Sequence, residues 1–208
     1  GLVGAEMCIR DRDLAAKIAL KSALYFFTTS EVQDYLERIK LTIDESNNFI
    51  LNHSSGSLPL KNMATTFEIF FYKDSFVYWG HIGDSRIYNL RSKRLNQITK
   101  DHSLVQKLLD EGYITHKQAE THPQKNVIVK ALGDNSTVEP DISKIKVNDF
   151  EKNKFFICSD GVSNLITQKE LEEILNRTDH EEMKTELVKI VKLRGAVDDY
   201  SFIIIEKV

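Results

Sequence analysis

Cysteine, proline and glycine are all scarce in this chain of 208 residues, at two, three and nine. Two cysteines make no disulfide framework. Cys158 lies inside the apolar run Phe155-Phe156-Ile157-Cys158 and is expected to pack as a small hydrophobe. Few prolines and glycines leave no linker able to divide domains. The one flexible patch, Ser54-Ser55-Gly56-Ser57, is too short to do so. No apolar run nears the length of a membrane span, and no basic start followed by an apolar stretch marks a secretory leader. An excess of either charge is also missing. The formal net charge is −3, which gives nucleic acid no basic face to bind. There is no internal repeat, no Gly-rich phosphate loop and no Gly-x-Ser-x-Gly elbow for a serine nucleophile. What is there is an ordinary globular balance, 41% hydrophobic and 28% charged, enough to bury one core. A cytoplasmic domain with no membrane segment is the expectation.

Hydrophobic spacing of three and four predicts an amphipathic helix over residues 13–28, with Ala15, Ile18, Ala19, Ala23 and Phe26 on one stripe. Ser30 and Gln33 form a capping-box pattern ahead of a second helix carrying Leu36, Ile39, Ile43 and Ile50 inward. The pattern then changes. Thr66–Tyr72 and Ser75–His81 are aromatic and β-branched, flank the polar Lys73-Asp74 and predict a hairpin. A short continuation at Ile87-Tyr88 turns at Arg91-Ser92-Lys93. Asp101 and Ser103 offer caps to a helix that Gly112 stops. Capping boxes at Thr115/Gln118, Thr167/Glu170 and Thr178/Glu181 predict three more helices, and strands are expected at 154–158 and 200–205. Helices on both sides of a block of hairpin-linked strands favour an α+β fold with largely antiparallel pairing.

Three aspartates stand at strand ends. Asp84, in Gly83-Asp84-Ser85-Arg86, follows Phe76-Val77-Tyr78-Trp79. Asp160, in Ser159-Asp160-Gly161, follows the run ending at Cys158. Asp198 precedes Phe202-Ile203-Ile204-Ile205. Taken singly, Asp84 and Asp160 are good turn residues and Asp198-Asp199 a solvated acidic pair before an edge strand. Together they offer carboxylates from separate strand ends, the donor type that hard divalent cations such as Mg²⁺ or Mn²⁺ take. The pair Asp198-Asp199 sets like charges side by side, a repulsion that a bound cation relieves. Arg86 is either a phosphate ligand or a surface strand residue. His81, His102, His116 and His122 lack zinc-ligand spacing and are expected in turns and on surfaces.

The motifs in order resemble those of the metal-dependent Ser/Thr protein phosphatases, the PPM or type 2C family. They are Ala64-Thr65-Thr66, then Gly80-His81-Ile82-Gly83-Asp84-Ser85-Arg86, then Thr99-Lys100-Asp101-His102-Ser103, Cys158-Ser159-Asp160-Gly161 and Gly195-Ala196-Val197-Asp198-Asp199. Residues 112–133, with Glu111-Gly112-Tyr113, His122-Pro123 and Ala131-Leu132-Gly133, resemble the flap of the bacterial members. The resemblance runs from about residue 13 to the C-terminus. It implies a four-layer α-β-β-α sandwich of two antiparallel sheets face to face, with helices outside. It implies two paired cations and an additional third, with a water activated by the pair attacking the phosphorus of phosphoserine or phosphothreonine, in opposition to a Ser/Thr kinase. Asp160 and Asp198 then resemble ligands of one of the paired metals, and Asp84 a ligand of the third.

Departures from the family pattern qualify the expectation. The family's first metal motif, an Asp-Gly followed by further glycines, does not occur before residue 13. Residues 1–12 resemble neither it nor the strand expected ahead of it, and read as foreign or disordered sequence fused to a shortened domain of residues 13–208. Asp199 and Asn62 also stand where the family usually has Asn and Gly. Little or no activity of this chain is therefore expected, and the alternative is a pseudo-phosphatase that binds a partner or phosphopeptide without hydrolysis.

Overall fold

In the computed structural model, residues 2–8, 12–54, 63–195 and 199–207 are described. In chain order they form β1 (Leu2–Cys8), α1 (Arg12–Thr29), α2 (Tyr35–Ser54), β2 (Ala64–Lys73), β3 (Phe76–Ile82), β4 (Arg86–Arg91), β5 (Arg94–Gln97), α3 (Leu104–Asp110) and α4 (His116–Glu120). Then follow β6 (Asp141–Lys146), β7 (Asn153–Cys158), α5 (Asp160–Ser163), α6 (Gln168–Leu175), α7 (His180–Leu193) and β8 (Phe202–Ile205). They fall into two compact units, Gly1–Asp84 with Asp101–Lys146, and Ser85–Lys100 with Val147–Val208.

The first unit holds an antiparallel sheet in the order β1-β2-β3-β6. Side chains alternate across a strand, so Phe67, Ile69 and Phe71 point one way and meet Ala15, Ala19, Ala23, Ile39, Ile43 and Ile50 of α1 and α2 in one core. Phe71 stacks on Tyr78 at 5.0 Å between ring centroids, and Tyr35 meets both edge-on. The β2–β3 turn carries positive φ at Asp74 and Ser75, the two-residue geometry that matches strand twist. Thr66, Glu68 and Phe70 alternate onto the other face of the sheet, with His81 directly across from Glu68.

The second unit holds the antiparallel sheet β5-β4-β7-β8. Its core joins Tyr88, Leu90, Phe156 and Cys158 to Val162, Leu171, Ile174, Met183, Leu187 and Val191 of the helices. Two antiparallel sheets, each carrying helices, make the α+β fold that the patterning predicts. Cys158 is buried among apolar neighbours as expected.

Local signals account for most elements and misplace a few. The capping boxes at Thr115/Gln118 and Thr167/Glu170 both form. The box expected at Ser30 does not. Asp34 lies beside the first turn of α2, and its Oδ1 accepts from Leu36 and Glu37 N–H at 2.9 Å each. The last helix is capped by Asp179 rather than Thr178. Leu2–Cys8 gives no strand signal, yet all seven residues pair with β2, from Leu2↔Phe70 to Cys8↔Ala64. Backbone pairing needs no particular side chains, so an open edge of β2 can order a segment that its own sequence leaves unassigned. Asn62 and Asp198 lie outside the described residues.

Candidate metal centre

Asp84 sits where the chain leaves β3. Gly83 before it has φ +116°, and a Cβ there would drive into the side chain of Thr66, so only glycine fits. The Gly83 peptide is held from both sides by one residue. His102 N–H donates to Gly83 O at 2.7 Å, and Gly83 N–H donates to His102 Nδ1 at 3.1 Å. The clamp fixes the turn and leaves Asp84 only 9% exposed.

Asp160 is the first residue of α5, with Ser159 ahead of it. Its Oδ2 accepts from Asn164 Nδ2 at 3.2 Å, and a carboxylate has further lone pairs beyond that bond. Gly161 lies against the Asp199 carbonyl so closely that no Cβ could be fitted between them. Ser159 N–H donates to Ser201 O, and Ser201 N–H to Ser159 Oγ, both at 3.0 Å. The Asp160 motif is thus laced to the stretch that directly follows Asp198. Asp84 belongs to the first unit and Asp160 to the second. Among the described residues no group of three or more His, Cys, Asp or Glu side chains gathers as a metal site. The donors themselves fit the implied cations: carboxylate oxygens suit Mg²⁺ and Mn²⁺, and no thiol or imidazole set competes.

A cavity of about 740 Å³ lies in the second unit and is lined by Lys93, Lys154, Arg177, His180 and Glu206 among others. Neither Asp84 nor Asp160 lines it. Its mixed charges largely satisfy one another, as in Lys154–Glu206 at 3.2 Å, so the motifs and not this cavity locate the chemistry. Arg86 is half-buried, with Nη1 3.4 Å from the Tyr88 hydroxyl.

Two histidines are not where spacing placed them. His116 is exposed and His122 half-exposed, as expected. His81 and His102 are buried, at 0% and 7% exposure. His81 Nδ1 lies 3.2 Å from Oε1 of Glu68, itself buried. His102 Nε2 lies 3.4 Å from Asp141 Oδ1, a long, off-axis electrostatic contact rather than a well-formed hydrogen bond. Burial pushes the His102 imidazole down to about 4. Neighbouring His81 adds to the fall and Asp141 opposes it. Burial raises the Glu68 carboxyl, against the pull of His81. The signal that could have found these residues is strand register, which single-sequence patterning does not supply.

Residues 12–192 match the family model described as Protein phosphatase 2C. The chain belongs to the protein phosphatase 2C family. It is 32% identical over 209 aligned positions to the serine/threonine phosphatase Stp of Listeria monocytogenes serotype 4b (strain F2365), covering 100% of this chain and 79% of that protein. Among solved structures it is similar to the Mycobacterium tuberculosis serine/threonine phosphatase PstP/Ppp, with TM-score 0.86 and 27% identity, over 97% of this chain and 85% of that one. It is also similar to the catalytic domain of serine threonine protein phosphatase PstP in complex with two manganese ions, with TM-score 0.83 and 25% identity, over 97% and 84%. The resemblance read from the motifs is therefore the chain's family.

Proposed function

We propose that this chain is a phosphoprotein phosphatase domain that removes phosphate from phosphoserine and phosphothreonine with Mg²⁺ or Mn²⁺. The observation that carries the reading is the family match over residues 12–192 together with the ordered motifs around Asp84, Asp160 and Asp198. Residues 13–208 act as one domain, with 112–133 as its flap beside the substrate. Asp160 and Asp198 hold one of two paired cations, and Asp84 holds a further one. When bound, such cations lower the pKa of a water for attack on phosphorus and screen the phosphate charge. Gly161 and the Ser159–Ser201 bonds keep the Asp160 motif and the 199–201 stretch together, and the His102 clamp keeps Asp84 in place. The substrate is a phosphorylated protein whose phosphate a Ser/Thr kinase supplies, and the setting is cytoplasmic. Among the described residues no helix is long and apolar enough to cross a membrane. The named relatives are phosphatases, which favours hydrolysis over mere phosphopeptide binding.

No Asp-Gly-x-Gly-Gly motif occurs in residues 1–12, so turnover by these 208 residues is expected to be slow. The test combines calorimetric Mn²⁺ titration with phosphate release from phosphothreonine peptides. The parent chain should bind Mn²⁺, and Asp160→Asn should weaken binding by about tenfold or more and remove the slow, metal-dependent release. Absence of Mn²⁺ binding by the parent, or fast release that Asp160→Asn leaves unchanged, would overturn the reading.

A further inference from the structure

Glu68, His81 and Asp141 stand in one row across three neighbouring strands. Glu68 faces His81 in the β2–β3 register, and His81 faces Asp141 in the β3–β6 register. His102 lies over this row, its ring centroid 4.8 Å from that of His81. Its Nε2 points to Asp141, and its Nδ1 accepts from Gly83 N–H. An acceptor Nδ1 requires the proton on Nε2, so the network assigns a single neutral tautomer. The row on one side and the Gly83 peptide on the other leave the ring one orientation.

The backbone of His102 continues outward. Its carbonyl accepts from Val129 N–H at 2.8 Å, and Leu104 N–H donates to Val127 O at 2.8 Å. Ser103 and Ile128 form a β-bridge at the same place. One residue therefore joins the Asp84 turn, the ionisable row and the 124–129 stretch. A residue chosen only to fill space would be apolar, because buried ionisable groups cost stability unless a specific partner repays them. Here the repayment goes to the peptide next to Asp84.

We infer that His102 is a positioning residue. Through Nδ1 it aims the Gly83-Asp84 peptide so that the Asp84 carboxylate meets its cation, and it ties that aim to the 124–129 stretch. The inference rests on the reading of Asp84 as a metal ligand. Side chains that orient a ligand influence metal affinity without touching the metal, by about 10- to 100-fold. Asn and Gln separate the two ends of the ring. The Asn Oδ1 falls near the place of Nδ1 and keeps the acceptor for Gly83, whereas the Gln amide falls near the place of Nε2 and keeps only the side toward Asp141.

The experiment titrates Mn²⁺ by calorimetry into the 208-residue chain and its His102→Asn, His102→Gln and Asp84→Asn variants. Amide hydrogen exchange is followed at Gly83 and Val129. The Asp84-dependent part of binding is the difference between parent and Asp84→Asn. His102→Asn should keep it within about threefold, while His102→Gln should lose about tenfold and speed Gly83 exchange by a similar factor. Both variants should unfold at similar temperatures, which removes global stability as the cause. Equal Mn²⁺ affinity in Asn and Gln variants, or Gln the better of the two, overturns the positioning role while Asp84→Asn still weakens binding. An Asp84→Asn chain that binds as the parent does overturns the metal-ligand reading itself, and the inference falls with it.

Discussion

The Lys154 side chain is buried in β7, and its ammonium has more to do than pair with one acid. It donates to Leu175 O at 2.9 Å and Arg177 O at 3.1 Å, carbonyls at the end of α6, and lies 3.2 Å from Glu206. A cation among the last carbonyls of a helix satisfies groups that have no partner within the helix. Lys154→Met keeps the stem's volume and removes the three polar contacts. It should lower the unfolding free energy by about 2–4 kcal/mol, measured by urea denaturation, and a change below about 0.5 kcal/mol would contradict this reading. At the same scale, the three aspartates could be singled out because each stands in a motif of neighbours along the chain. Lys154, Glu68 and Asp141 were not. A charged residue in a strand gives no local sign of its partner, and these partners lie well away in sequence.

Between elements, the joint that counts most is α5 against the stretch preceding β8. Gly161 touches the Asp199 carbonyl where any side chain would collide. Gly161→Ala removes no ligand, yet it must push the Asp199 carbonyl away from α5. Overpacking of this kind costs about 1–3 kcal/mol, and the expected result is Mn²⁺ affinity reduced by about tenfold or more with both helical cores intact by circular dichroism. Unchanged affinity would show that the two segments need no fixed spacing. The helices were legible because their apolar period and their caps are local. Strand β6 was not, since Ile142 and Ile145 are its only half-buried apolar residues and their spacing of three does not alternate as a strand does. Helix α5 was hidden by Asp160-Gly161, a step that serves a turn equally well.

For the whole molecule, two sheets with separate cores bring motifs from across the chain into the fold shared with solved phosphatases. The order of the motifs carried that conclusion before any coordinates did. Register carried the rest: it sets Glu68, His81 and Asp141 side by side although β6 follows β3 only after some sixty residues. The most direct measurement of the central claim is anomalous scattering at the manganese edge from crystals of the chain soaked in Mn²⁺. The account predicts a peak within coordination distance, about 2.2 Å, of carboxylate oxygens of both Asp160 and Asp198. A peak elsewhere, with those carboxylates bare at saturating Mn²⁺, would contradict it.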